Sequence, residues 1–151
     1  MAGSERTTAS SSQAAPTATR TFRVLVIDDS PSDREIMAVH LGRAWPFERD
    51  LAVDGSADGA EALEKMRTTR FALIVLDWRL PGMGGGEVLR FMRKHRVRIP
   101  VVVVSGLQRP DIPEDLDALG AAFLNKDEMN PATFHAAIAA SLRLLGLTKP
   151  A

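Results

Sequence analysis

The sequence predicts an α/β fold, a doubly wound parallel sheet with helices on both faces. Three observations predict it. Short apolar runs alternate with stretches of helical period five times between Phe22 and Leu147. The first, third and fourth runs, RVLVI, FALIVL and IPVVVV, are almost continuously apolar, as strands buried on both faces are. Polar residues cluster where the runs end rather than inside them. A barrel needs more units and a repeat array needs a fixed period, and the chain has neither.

The elements follow in order. Arg23 to Ile27 reads as the first strand. Ile36, Met37, His40, Leu41 and Ala44 recur at helical spacing after it, behind a Ser30-Pro31 cap with Asp33 in the first turn. Leu51 and Val53 alternate with polar neighbours as a weaker strand, suited to a sheet edge. Asp58 and Glu61 form a capping-box variant before the stripe Ala60, Leu63 and Met66. Phe71 to Leu76 is a strong strand. Val88, Phe91, Met92 and His95 mark the third helix, and Ile99 to Val104 the fourth strand, with Pro100 near its start. Pro110 and Pro113 bar a helix interior, so a helix is expected only from about Pro113 to Leu119, with Gly120 left-handed at its end. Ala121 to Leu124 is a short edge strand. Asn130-Pro131 caps a last helix lined by Phe134, Ile138, Ser141, Leu142 and Leu145.

Composition narrows the function. The 151 residues carry 19 Lys and Arg against 19 Asp and Glu, so the formal charge is zero and gives no support to nucleic-acid binding through phosphates. With no cysteine there is no disulfide scaffold, thiolate zinc site or cysteine nucleophile. The longest purely apolar run, Phe71 to Leu76, falls far short of the roughly 18 residues that cross a bilayer. Residues 1–21 contain nine Ser or Thr and five Ala but no Val, Ile, Leu or Phe. Such a segment buries too little apolar surface to offset its ordering entropy, and it is expected to be a disordered tail. Residues 148–151 are expected to be a short C-terminal tail.

In a parallel open sheet, ligands bind beyond the carboxyl ends of the strands. The first strand ends in Asp28-Asp29, the third in Asp77, the fourth in Ser105 and the fifth in Asn125-Lys126. A lone Asp at a strand end is commonly a cap or turn residue. Four polar strand ends of five call for more. Three carboxylates on one rim repel one another, and a divalent cation relieves this. Oxygen donors without His or Cys favour a hard ion such as Mg²⁺. Asp77 is then the candidate nucleophile, because a carboxylate accepts a phosphoryl group as an acyl phosphate. Lys126 adds a point charge, and Ser105 a hydrogen bond to the phosphoryl oxygen.

The stretches VLVIDDS, ADGAEAL, LIVLDWRLPGMGG, VVVVSG and FLNK, in this order and spacing, resemble the receiver domain of bacterial two-component response regulators, of the chemotaxis-regulator-like single-domain type. The resemblance covers Phe22 to about Leu147. It implies the flavodoxin-like strand order 2-1-3-4-5 and a receiver domain over residues 22–147. It implies a cytoplasmic module, monomeric or weakly dimeric, that takes phosphate onto Asp77 from a sensor histidine kinase or histidine phosphotransfer protein. Asp28, Asp29, Asp77 and the backbone carbonyl of Arg79 would hold Mg²⁺. Lys126 would pair with the phosphate. Ser105 and Phe123 would shift together and remodel a protein-binding surface. Arg79 would point toward the site mouth and affect access of the hydrolytic water, whereas Leu107, two residues after Ser105, reads as ordinary packing.

Four departures from the family pattern stand out. Phe123 replaces a frequent Tyr. Lys126-Asp127 replaces Lys-Pro, removing a proline that commonly fixes the loop. Gly84 replaces a side-chain cap, and the run Gly84-Gly85-Gly86 is expected to loosen the third helix's start. The prolines at 110 and 113 fall where a fourth helix normally begins. Trp78 reads as loop packing, and His40, His95 and His135 form no cluster.

The chain is therefore expected to be a signalling switch rather than a turnover enzyme, acting by protein contacts because no output domain follows before Ala151. Two alternatives share parts of the pattern. A haloacid-dehalogenase-type Mg²⁺-dependent phosphatase also uses an Asp nucleophile, but with a second Asp where this chain has Arg79. A flavodoxin-like FMN protein needs a phosphate cradle where Asp28-Asp29-Ser30-Pro31 is acidic. No GxxxxGK[ST] motif supports a P-loop nucleotidase.

Overall fold

The computed structural model describes residues 21–150. Five strands, β1 (Thr21–Ile27), β2 (Asp50–Ser56), β3 (Leu73–Asp77), β4 (Val101–Ser105) and β5 (Ala121–Asn125), form one sheet in the order β2-β1-β3-β4-β5, all pairs parallel. Four helices, α1 (Pro31–Ala44), α2 (Gly59–Thr68), α3 (Gly85–Lys94) and α4 (Pro131–Leu144), connect or follow them. The tail expected over residues 1–21 lies outside the described residues, apart from Thr21, which opens β1.

Side chains alternate across each strand. Val24 and Val26 of β1, with Val75, Val102 and Val104, pack against Met37, Leu41, Phe134, Ile138 and Leu142 of α1 and α4. Leu25 and Ile27, with Ile74, Leu76, Val101 and Val103, pack against Val88, Leu89 and Met92 of α3 and Ala62 of α2. Every residue of β3 and β4 is buried, which is why their sequences carry no alternation. The edge strand β2 is mostly half-exposed, as its polar sequence implies.

The caps place the helix starts. The Ser30 hydroxyl accepts from the Asp33 amide at 3.2 Å. Asn130 and Thr133 complete a reciprocal box, each amide donating to the other's side chain at 2.9 Å. At α2 only half of the expected box forms. Asp58 accepts from the Glu61 amide at 2.7 Å, but Glu61 turns instead to the Ser56 hydroxyl at 2.7 Å and the Ala57 amide at 3.2 Å.

The helix expected over 113–119 is absent. Arg109–Asp111 forms a 3₁₀ turn, and a single further turn closes at Gly120. The carbonyls of Ile112 and Glu114, which a helix would direct to its own amides, accept from the Arg109 guanidinium at 3.1 and 3.2 Å. The Glu114 carboxylate is drawn to Arg90 of α3 at 2.6 Å. Too few residues then separate Pro113 from the stop at Gly120 to nucleate a helix. Gly120 does take the left-handed conformation, with φ +69°, and the Ala121 amide reaches the Leu116 carbonyl at 2.9 Å to end the turn.

The start of α3 is not loose either. Gly85 and Gly86 are buried, and the Gly85 amide donates to the Trp78 carbonyl at 3.1 Å. The Gly84 amide donates to the Glu87 carboxylate at 3.2 Å, a cap that needs no side chain at Gly84.

Candidate functional site

The parallel sheet brings the carboxyl ends of β1, β3 and β5 to one rim. Asp28 follows β1 directly and is fully buried, and its backbone amide donates a hydrogen bond to the Ser56 carbonyl at 3.0 Å. Asp77 ends β3 and is 5% exposed. Asp29 stands exposed at the mouth. One carboxylate oxygen from each of Asp28, Asp29 and Asp77 lies within 4.8 Å of the other two. This donor set is oxygen-only and suits a hard divalent cation such as Mg²⁺.

Lys126 projects from the end of β5 into the same pocket. Its Nζ donates to Asp28 Oδ2 at 2.8 Å, Asp33 Oδ2 at 3.0 Å and Asp77 Oδ2 at 3.4 Å. The backbone contributes too. The Arg79 amide donates to Asp77 Oδ1 at 3.2 Å, and the Ser30 amide to Asp28 Oδ1 at 2.9 Å.

Burial raises the Asp77 carboxyl from 3.8 to about 6, and the Asp28 charge pushes the same way. Lys126 and the Arg79 amide oppose this without overcoming it. Burial alone would lower the Lys126 ammonium, but its bonds to Asp28 and Asp33 and the Asp77 charge hold it above its usual range. Three carboxylates share the Lys126 ammonium and Asp29 lies beside two of them, so acidic groups outnumber the cation they share, the condition a bound cation relieves.

Ser105 is buried at the end of β4, and its hydroxyl accepts from the Leu107 amide at 3.0 Å. Phe123 is half-buried in β5 and packs with the α2 and α3 side of the core. Arg79 is exposed beside the site, and Trp78 packs against that same core as expected. Among the described residues, the three histidines join no metal-ligating cluster.

Three contributors escaped the sequence reading. Asp33 looked like a first-turn acid of α1, and nothing in its local sequence points to Lys126, 93 residues away. Arg34 Nη1 donates to the Asp28 carbonyl at 2.6 Å and braces the loop after β1. Asn125 replaces the fixing role of a proline after Lys126. Its Oδ1 accepts from the Asp127 amide at 2.7 Å, and its Nδ2 donates to the Leu107 carbonyl at 3.0 Å. A proline at 127 could not make the first of these bonds.

Comparison with known proteins agrees with this geometry. The family model for the response regulator receiver domain matches residues 24–139. The DNA-binding response regulator MtrA of Mycolicibacterium smegmatis is 37% identical over 128 residues, 73% of this chain and 54% of that protein. A protein-glutamate methylesterase/protein-glutamine glutaminase of Myxococcus xanthus is 41% identical over 104 residues, 68% of this chain and 28% of that protein. The chain thus spans about half the length of these curated relatives or less. Among solved structures, the chemotaxis response regulator CheY4 of Vibrio cholerae superposes with a TM-score of 0.67 at 29% identity, covering 82% of this chain and all of that one. The response regulator TrrA of Thermotoga maritima, in complex with Mg²⁺-BeF, gives 0.59 at 27% identity, covering 70% of this chain and 86% of that one.

Proposed function

This chain belongs to the response regulator receiver domains, and from that premise we propose that Asp77 accepts a phosphoryl group from a phosphohistidine on a sensor histidine kinase or histidine phosphotransfer protein. The observation that carries the reading is the meeting of Asp28, Asp29 and Asp77, with the Lys126 ammonium paired to Asp28 and Asp77, from three strand ends far apart in sequence. An Asp77 oxygen forms the new O–P bond as the N–P bond of the donor breaks, and the imidazole leaves with the electron pair. With its carboxyl near 6, Asp77 is largely ionised at neutral pH and more basic than an ordinary aspartate.

Asp28, Asp29 and Asp77, with the Arg79 carbonyl, are the residues we assign to Mg²⁺, which when bound neutralises charge on the phosphoryl oxygens. Lys126 contributes a second positive charge from the β5 side. The Ser105 hydroxyl is assigned to a phosphoryl oxygen, and Phe123 to the rearrangement that partners read. Ile36 and Val39, each 51% exposed on α1, offer a donor protein apolar contact on the helix that borders the pocket. Among the described residues no helix is long and apolar enough to cross a membrane. A receiver domain that takes phosphate from a sensor histidine kinase meets it in the cytoplasm, and on that reading we place the domain there.

Incubation with acetyl phosphate and Mg²⁺ tests the assignment by mass. One phosphate should be added, and Asp77→Ala should abolish it. Label that survives this change would refute the site. Rapid multiple turnover of a phosphate ester would favour a phosphatase of the haloacid-dehalogenase type instead.

A further inference from the structure

We propose that Asp33 is a positioning residue that competes for Lys126, holding the ammonium in the arrangement of the unmodified site and thereby opposing occupation of that site by a phosphoryl group. The inference rests on the reading of Asp77 as phosphoacceptor. A lysine ammonium has three donors. Here Asp28, Asp33 and Asp77 take all three, at 2.8, 3.0 and 3.4 Å.

A phosphoryl group on Asp77 ends that carboxylate's own claim on Lys126, the longest of the three at 3.4 Å, and sets in its place anionic oxygens that draw the ammonium toward them and away from its other two partners. The contact to Asp28 or the contact to Asp33 then loosens. The Asp28 side chain is 1% exposed, so release there strands a buried charge. The Asp33 side chain is 42% exposed, and water can take the place of the lysine. Asp33 is thus the partner that yields. It is also kept within reach, because its own amide is bonded to the Ser30 cap at 3.2 Å and the first turn of α1 faces the end of β5. Being exposed, the Asp33–Lys126 pair is weak, which sets the effect at about two- to fivefold in affinity.

The test is an equilibrium titration of the full chain with beryllofluoride, a tetrahedral phosphoryl mimic, in the presence of Mg²⁺ and followed by calorimetry. Asp33→Asn and Asp33→Ser should each bind about two- to fivefold tighter than wild type. Asp33→Glu should bind as wild type does. In a Lys126→Gln background, Asp33→Asn should change nothing. Unchanged or weaker binding by both neutral variants would overturn the proposal. So would tightening that persists without Lys126, since that would be repulsion by a nearby charge and not competition for the ammonium. Wild-type binding with indifferent Asp33 variants defeats this inference alone, whereas a wild-type protein that takes neither beryllofluoride nor phosphate defeats the phosphoacceptor reading along with it.

Discussion

Gly85 runs so close to Asp77 that a β-carbon at residue 85 would lie 2.6 Å from the Asp77 carbonyl oxygen and 2.8 Å from the α-carbon of Trp78. Both neighbours are backbone, and neither can rotate away. Gly85→Ala should therefore push α3 off the end of β3 and destabilise the domain by about 1–3 kcal/mol. Urea denaturation measures the loss. Gly84→Ala, where an added β-carbon meets nothing within 4 Å, is the matched control and should change stability far less.

Lys126 is the cation that compensates Asp28, which is fully buried. Lys126→Met removes the ammonium and leaves that carboxylate without its charge partner. The expected loss in metal-free buffer is about 2–4 kcal/mol, since breaking one side of a buried pair is far worse than removing both. Asp28→Asn combined with Lys126→Met should recover a large part of it, as thermal unfolding of the single and double variants will show.

Asp77 carries a carboxyl raised from 3.8 to about 6, first by burial and then by the Asp28 charge. The fold therefore favours its protonated form, and the ionised form weighs against folding above pH 6. The penalty fades as pH falls toward 4, where the unfolded chain is protonated as well. Asp77→Asn should stabilise the metal-free protein by about 1–3 kcal/mol at pH 7 and by almost nothing at pH 4. A gain that grows toward acid would contradict this sign.

Removal of divalent cations should lower the unfolding temperature, because binding to the folded state alone adds about 2.7 kcal/mol at a hundredfold excess over Kd. Asp29→Asn should suppress most of that response. Asp29 is exposed, so its own removal should leave the metal-free protein nearly as stable as before. Unfolding scans with and without Mg²⁺ or chelator separate the two effects.

Asp127→Pro restores a residue pair frequent in the family but removes the amide that donates to Asn125 Oδ1 at 2.7 Å. It should cost about 1 kcal/mol, the net worth of one such hydrogen bond. Asn125→Ala should cost more, since the bond to the Leu107 carbonyl at 3.0 Å is lost too. Chemical denaturation of both variants provides the comparison.

The sheet and its caps were legible because their signals are local. A continuous apolar run such as Phe71 to Leu76 needs burial on both faces, and Ser30-Pro31 starts a helix wherever it stands in the fold. The carboxylates at the ends of β1 and β3 were legible for a related reason: in a parallel sheet, residues that end strands share one rim. The missing helix between β4 and β5 was not. Its prolines argued for a late start, but the segment's carbonyls are taken by Arg109 and its carboxylate by Arg90, and neither partnership is written in the local pattern.

By itself the sequence determined the α/β alternation, the strand ends that carry Asp28, Asp29, Asp77 and Lys126, and the family to which those motifs point, all properties of short segments and their order. Only the tertiary structure decided that Asp33 shares Lys126, that Asn125 braces the loop in place of a proline, and that Gly85 is there to let two backbones touch. Those three depend on distances between elements. Such distances are set when the two faces of the sheet are packed, and no local propensity encodes them.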